Sequence, residues 1–163
     1  MNGKCTVAFL LVLAAYVNGN ELGAPELACV DMVPQHGVDP KETSFPYSVS
    51  VNKDNIKQGD TVEITVSGDK EPDFKGFLLQ VRDSKNKPVG TFIITSSHKS
   101  AKVLQCDSKN VAATHKSKDD KQTVVVEWKA PSNLSGKLTV YATVAKNGQE
   151  FWARKPTAEI TVS

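Results

Sequence analysis

QGDTVEITV, residues 58–66, sets a turn signal ahead of strict alternation, with Val62, Ile64 and Val66 on one side and Thr61, Glu63 and Thr65 on the other. Successive side chains of an extended strand point to opposite faces, so this pattern predicts a strand with one buried and one solvated face. The same period recurs along the chain. Tyr47, Val49 and Val51 alternate with Ser48 and Ser50. Downstream, one face is shared by Phe77, Leu79 and Val81, then by Val124, Val126 and Trp128, then by Leu138, Val140, Ala142 and Val144, and finally by Ala158, Ile160 and Val162. Trp128 is placed in the core by its phase with Val124 and Val126.

The connections carry their own signals. KGFLLQVRD (75–83) runs through SKNKP into VGTFII (89–94), which reads as a hairpin. KNGQ (146–149) puts Asn147 and Gly148, residues that tolerate φ > 0, where a two-residue hairpin turn requires them. Beyond the first residues, no stretch of ten or more shows helical periodicity. About seven short strands separated by turns predict an all-β fold, an immunoglobulin-like antiparallel β-sandwich. Residues 20–46, with Pro25, Pro34, Pro40 and Pro46, lack alternation and predict an irregular N-terminal arm.

The chain begins MNGKCTVAFLLVLAAYVNGNELG, with one charge at Lys4 and an apolar run from Val7 to Val17. A run of about eleven residues falls short of the roughly twenty that a membrane-spanning helix needs. It has the layout of a secretory signal peptide covering residues 1–19, with Val17 and Gly19 suited to cleavage before Asn20. Residues 20–163 then form one domain, within the usual single-domain size of about 100–150 residues. The C-terminal PTAEITVS carries no anchor tail or retention signal. A secreted, extracellular protein without a membrane span is expected. The net charge of +2 argues against a general nucleic-acid or membrane-surface binder, so any electrostatic site is local.

Cys5 lies in the signal segment, which leaves Cys29 and Cys106 in an oxidising compartment, where pairing is expected. Closing a loop of about 78 residues is worth roughly 4–5 kcal/mol in the chain-entropy picture. The alternatives for Cys106 are a nucleophile or a zinc ligand, but zinc sites need three or four ligands and the three histidines are scattered. Because Cys29 precedes the first clear strand, a bridge would tie the arm to the region of Cys106 instead of joining two sheets.

His36, in MVPQH, and His115, in ATHKS, both neighbour a cysteine in sequence. They read either as a metal- or proton-linked pair or as structural histidines held by backbone groups. The chain contains no nucleophile elbow, HExxH, glycine-rich phosphate loop or Cys-x-x-Cys. No catalytic residue, metal or cofactor is assigned. Between Ser96 and Lys121 stand six lysines against Asp107, Asp119 and Asp120. Within that basic loop region Lys99, Lys102, Lys116, Lys118 and Lys121 are candidate ligands for anionic glycans; the other reading is a solvated, partly self-neutralised loop. Phe151 and Trp152 would point to opposite faces of a strand, one into the core and the other towards a ligand or over an edge. Asn133-Leu134-Ser135 is an N-glycosylation sequon in a turn-like segment.

Several segments together resemble the reeler domain, and within that family the small secreted insect defence proteins built from this domain alone. They are Cys29 followed by MVPQH, then PYSV, FKGFLLQVRD, VGTF, LQCDSKNVAATHKS, VVVEWKAP and EFWA, in that order. The resemblance implies an immunoglobulin-like sandwich, a Cys29–Cys106 disulfide and extracellular life. It also implies a non-enzymatic defence role in haemolymph: binding microbial surface glycans or lipopolysaccharide, with the haemocyte surface as a further partner. The alternative is an adhesion or developmental module that binds a host protein or glycosaminoglycan.

Overall fold

A computed structural model describes residues 21–68 and 73–163; the segment read as a signal peptide, 1–19, lies outside them. The elements run α1 (Ala28–Asp31), β1 (Ser48–Val51), β2 (Asn55–Ile56), β3 (Thr61–Ser67), β4 (Gly76–Arg82), β5 (Thr91–Ile93), β6 (Ala101–Cys106), β7 (Lys109–His115), β8 (Thr123–Lys129), β9 (Gly136–Ala145) and β10 (Phe151–Val162). They form two packed sheets, one ordered β1-β3-β8-β5 and the other β2-β10-β9-β4-β7-β6. All the strand pairs are antiparallel except β2 with β10, which is parallel.

The alternating residues meet between the sheets. Val62, Ile64 and Val66 of β3 face Leu79, Val81, Val140 and Val144 of the other sheet in one buried cluster. Trp128 is fully buried, as its phase requires. Tyr47 closes one end, edge-on to Phe74 at 5.6 Å and to Trp152 at 5.7 Å, geometries that favour aromatic pairs beyond their buried area.

Three local readings differ from the structure. The 75–94 segment starts as a hairpin, with Asp83 N–H donating to Lys87 O and Val89 N–H to Val81 O. The chain then leaves that sheet, and β5 pairs with β8 in the opposite one. The crossing occurs at Gly90 (φ +74°), where the Trp128 indole occupies the space a side chain would need and donates from Nε1 to Val89 O at 3.0 Å. Second, the β9–β10 hairpin exists, but neither Asn147 nor Gly148 has positive φ. Asn147 shapes a longer loop through its side chain, accepting from Gln149 N–H and Glu150 N–H. Third, the middle of the basic "loop" region is the hairpin β6–β7 at the sheet edge, with Lys102 in β6, Lys99 just before it, and Lys116, Lys118 and Lys121 after β7. Its two-residue turn is Asp107-Ser108, both with φ > 0 (49° and 61°), the conformation that matches strand twist.

β4 is buried along its whole length. Phe77, Leu79 and Val81 point into the sandwich, while Leu78 packs with Met32, Ala28 and the two cysteines beneath the arm. The six-stranded sheet is therefore covered on both faces over this region.

Gly90→Ala is expected to destabilise the fold by about 3 kcal/mol, from the left-handed backbone and from overpacking of the added Cβ against the Trp128 indole. Chemical denaturation measures it; a loss under about 1 kcal/mol would contradict this account of the crossover.

Candidate functional site

The arm reaches the outer face of the six-stranded sheet through covalent and polar contacts. Cys29 and Cys106 form a disulfide with Cα atoms 5.8 Å apart. Met32 ends α1 in the left-handed conformation (φ 61°), its N–H donating to Ala28 O. Beneath that turn Arg82 donates from Nη2 to Cys29 O at 3.0 Å and Val30 O at 2.9 Å, and Gln80 Nε2 donates to Cys29 O at 3.0 Å. Arg82 also donates to Gln80 Oε1 and to Asn86 O. Burial, with Arg154 nearby, lowers the Arg82 pKa from its ordinary value; its donors are met by carbonyl oxygens, as a buried cation requires. The helix end thus has a cation across its last carbonyls.

Further contacts run along the arm. Ala24 N–H donates to Thr114 Oγ1, Thr143 Oγ1 to Met32 O, and Lys41 N–H to Phe151 O. Gly23 (φ +120°) fits against the Lys102 side chain and His115 O, with no room for a Cβ. Phe151, the aromatic residue that faces away from the sandwich core, is fully buried against His36, ring centroids 5.3 Å apart. Trp152 lies in the core and donates from Nε1 to Thr43. Neither ring offers an exposed contact surface.

Between arm and sheet is a cavity of about 750 Å³. Ala28, Met32, Phe77, Leu78 and Ala145 line its apolar part, and Glu21, Lys75, Lys118, Asp119 and Asp120 stand among its polar residues. His36 and His115 both line it. They share a wall, but no hydrogen bond or ring contact is found between them. His115 Nδ1 accepts from Phe77 N–H, the structural alternative for this residue. His36 has a buried Nδ1 without a hydrogen-bond partner among the described residues, and burial lowers its pKa from 6.5. No group of three or more His, Cys, Asp or Glu suited to a metal occurs among the described residues.

The five candidate lysines divide. Lys99 and Lys102 are exposed; Lys102 lies beside the start of the arm, and Lys116 Nζ donates to Ser96 O. Lys118 pairs with Glu21 at 3.1 Å. Lys121 is a correction to the surface reading: it is 5% exposed and donates to the carbonyls of Lys75, Ser117 and Asp119, so it holds the 117–121 turn. Asn133 sits exposed between β8 and β9. The residues that seat the arm, Gln80, Arg82, Thr114 and Thr143, were not singled out from sequence; their one signal is polar side chains at alternate positions in strands whose other positions are apolar.

The reeler domain family model matches residues 27–163, and the chain belongs to that family. It is 39% identical over 151 residues to the Hyphantria cunea protein named "Putative defense protein Hdd11", covering 90% of this chain and 91% of that one. It is 34% identical to Defense protein l(2)34Fc of Drosophila melanogaster, over 94% of this chain and 98% of that one. It is also 36% identical to Ferric-chelate reductase 1 of Bos taurus over 94% of its own length, but it spans only 26% of that protein. The human F-spondin reeler domain has the same fold, with TM-score 0.63 and 19% identity over 77% of this chain and 94% of that one. At family level the relatives named as defence proteins support a defence role.

Two outcomes are expected. Arg82→Met should cost about 2–3 kcal/mol by leaving buried carbonyls short of donors, and limited proteolysis should cut first within 21–46; unchanged stability and unchanged cleavage would contradict the anchoring role. His36 is held below its unfolded pKa of 6.5, so the unfolded chain takes up the proton first and stability falls as pH drops below about that value. His36→Phe should flatten this dependence, read as unfolding free energy against pH.

Proposed function

We propose that the protein is secreted and acts as a non-enzymatic defence protein that binds anionic components of microbial surfaces. The observation that carries this reading is the cationic open end of the β6–β7 hairpin: Lys102 in β6 and the flanking Lys99 and Lys116 take part in no ion pair among the described residues. Cations clustered on a rigid scaffold favour phosphorylated or sulfated glycans, such as those of lipopolysaccharide, over short screening distances. Relatives of similar length that are named as defence proteins support the biological setting. Lys118 contributes less, since Glu21 already pairs with it. On this reading Asn133 carries an N-linked glycan, and haemocytes are a second surface for the same lysines.

The test is binding to intact bacteria and to isolated lipopolysaccharide across a salt series, with the native protein and with Lys99, Lys102 and Lys116 changed to Gln. Binding that weakens with salt and falls about ten-fold or more in the variant is expected. Equal binding by the variant would remove the lysines from the site. Binding to heparin but to no microbial component would favour a host glycosaminoglycan as the partner.

A further inference from the structure

We propose that the cavity between the arm and the six-stranded sheet is a binding site for a small, uncharged, mainly apolar molecule, with its polar end at the mouth. Three features carry this beyond the surface-lysine reading. The first is size: about 750 Å³ lies within the range of roughly 300–1,000 Å³ that small-molecule sites occupy.

The second is how the walls are held. Met32 and Ala28 come from the arm, Phe77 and Leu78 from β4, and Ala145 from the end of β9. The disulfide, Arg82 and Thr143 fix the arm at that distance. Thr143 Oγ1 is already engaged with Met32 O and Arg154 N–H, so this polar wall atom has partners before any ligand arrives. Apart from the buried His36 Nδ1, which has no hydrogen-bond partner among the described residues, these inner walls offer a guest mainly apolar contact.

The third feature is charge at the mouth. Lys118 pairs with Glu21 at 3.1 Å and Lys75 with Asp120 at 3.9 Å. Beside them the buried Lys121 ammonium donates to the carbonyls of Lys75, Ser117 and Asp119; burial lowers its pKa, and Asp119 and then Asp120 oppose that shift. The cavity lining therefore carries two cations, Lys75 and Lys118, with three carboxylates, Glu21, Asp119 and Asp120, and the Lys121 ammonium is buried beside them. A charged head group would compete with an existing pair or bring an unmatched charge; an uncharged hydroxyl or carbonyl does neither.

Met1 and Met32 are the only methionines, and Met32 is fully buried on the cavity wall, which supplies a reporter. In the disulfide-bonded protein with isotope-labelled methionine methyl groups, decanol is expected to shift the Met32 resonance saturably, with a midpoint in the micromolar range. Decanoate and decylammonium, with the same chain, are expected to bind several-fold more weakly. Ala24→Phe, which adds a ring at the wall, should abolish the decanol shift while the thermal midpoint stays near that of the native protein. No saturable Met32 shift with decanol would overturn the proposal, as would either charged probe binding as tightly. A folded Ala24→Phe protein that still binds would overturn the placement of the site. If that variant does not fold, the three-probe series on the native protein decides alone.

Discussion

The Arg82 guanidinium, buried on the outer face of the six-stranded sheet and bonded to carbonyl oxygens of the arm, is the contact on which the rest of the structure depends. A sandwich of this kind needs only the face between its sheets to be apolar. Here β4 is buried on both faces, because the arm lies over Leu78, Gln80 and Arg82. A buried cation has to be matched by acceptors, and the acceptors are the last carbonyls of α1. Arg82 and α1 therefore specify each other. The Cys29–Cys106 bridge secures the same junction covalently, and Glu26 adds an acceptor for Asp107 N–H beside it.

The geometry shows a division of labour. The four-stranded sheet and the inner face of its partner form a conventional core, and the distinctive surfaces cluster where the arm meets the sheet. At that junction lie the disulfide, His36 and His115, the cavity and Lys102. The lysines divide by burial: Lys121 directs its ammonium to three carbonyls and builds the turn, while Lys99 and Lys102 are exposed. A count of charges along the chain treats these residues alike, though burial gives them different chemistry.

Much of the fold was legible because a half-buried strand writes its register into alternate residues. Val62, Ile64 and Val66, and Val124, Val126 and Trp128, are buried as that period requires. The disulfide was legible by counting cysteines. What was not legible depends on contacts distant in sequence. The arm has no period of its own, so nothing in residues 21–46 announced which face it would cover. Gln80 and Arg82 consequently looked like solvent-facing positions. The crossover at Gly90 follows from an indole contributed by β8, some forty residues later, and Asp107-Ser108 makes a tight turn without the Asn-Gly pair that usually signals one. The cavity belongs to the same class, since its walls come from the arm, β4 and the end of β9.

The most direct test of the arm as a seated, structure-completing element is hydrogen–deuterium exchange of the native protein before and after reduction of Cys29–Cys106, under conditions where the sandwich stays folded. The account predicts that slow exchange at Ala28, Cys29 and Met32, whose amides are hydrogen bonded within the arm, is lost on reduction, while β3 and β8 keep theirs. Simultaneous loss across β3, β8 and the arm would contradict it, as would an arm that already exchanges freely in the oxidised protein.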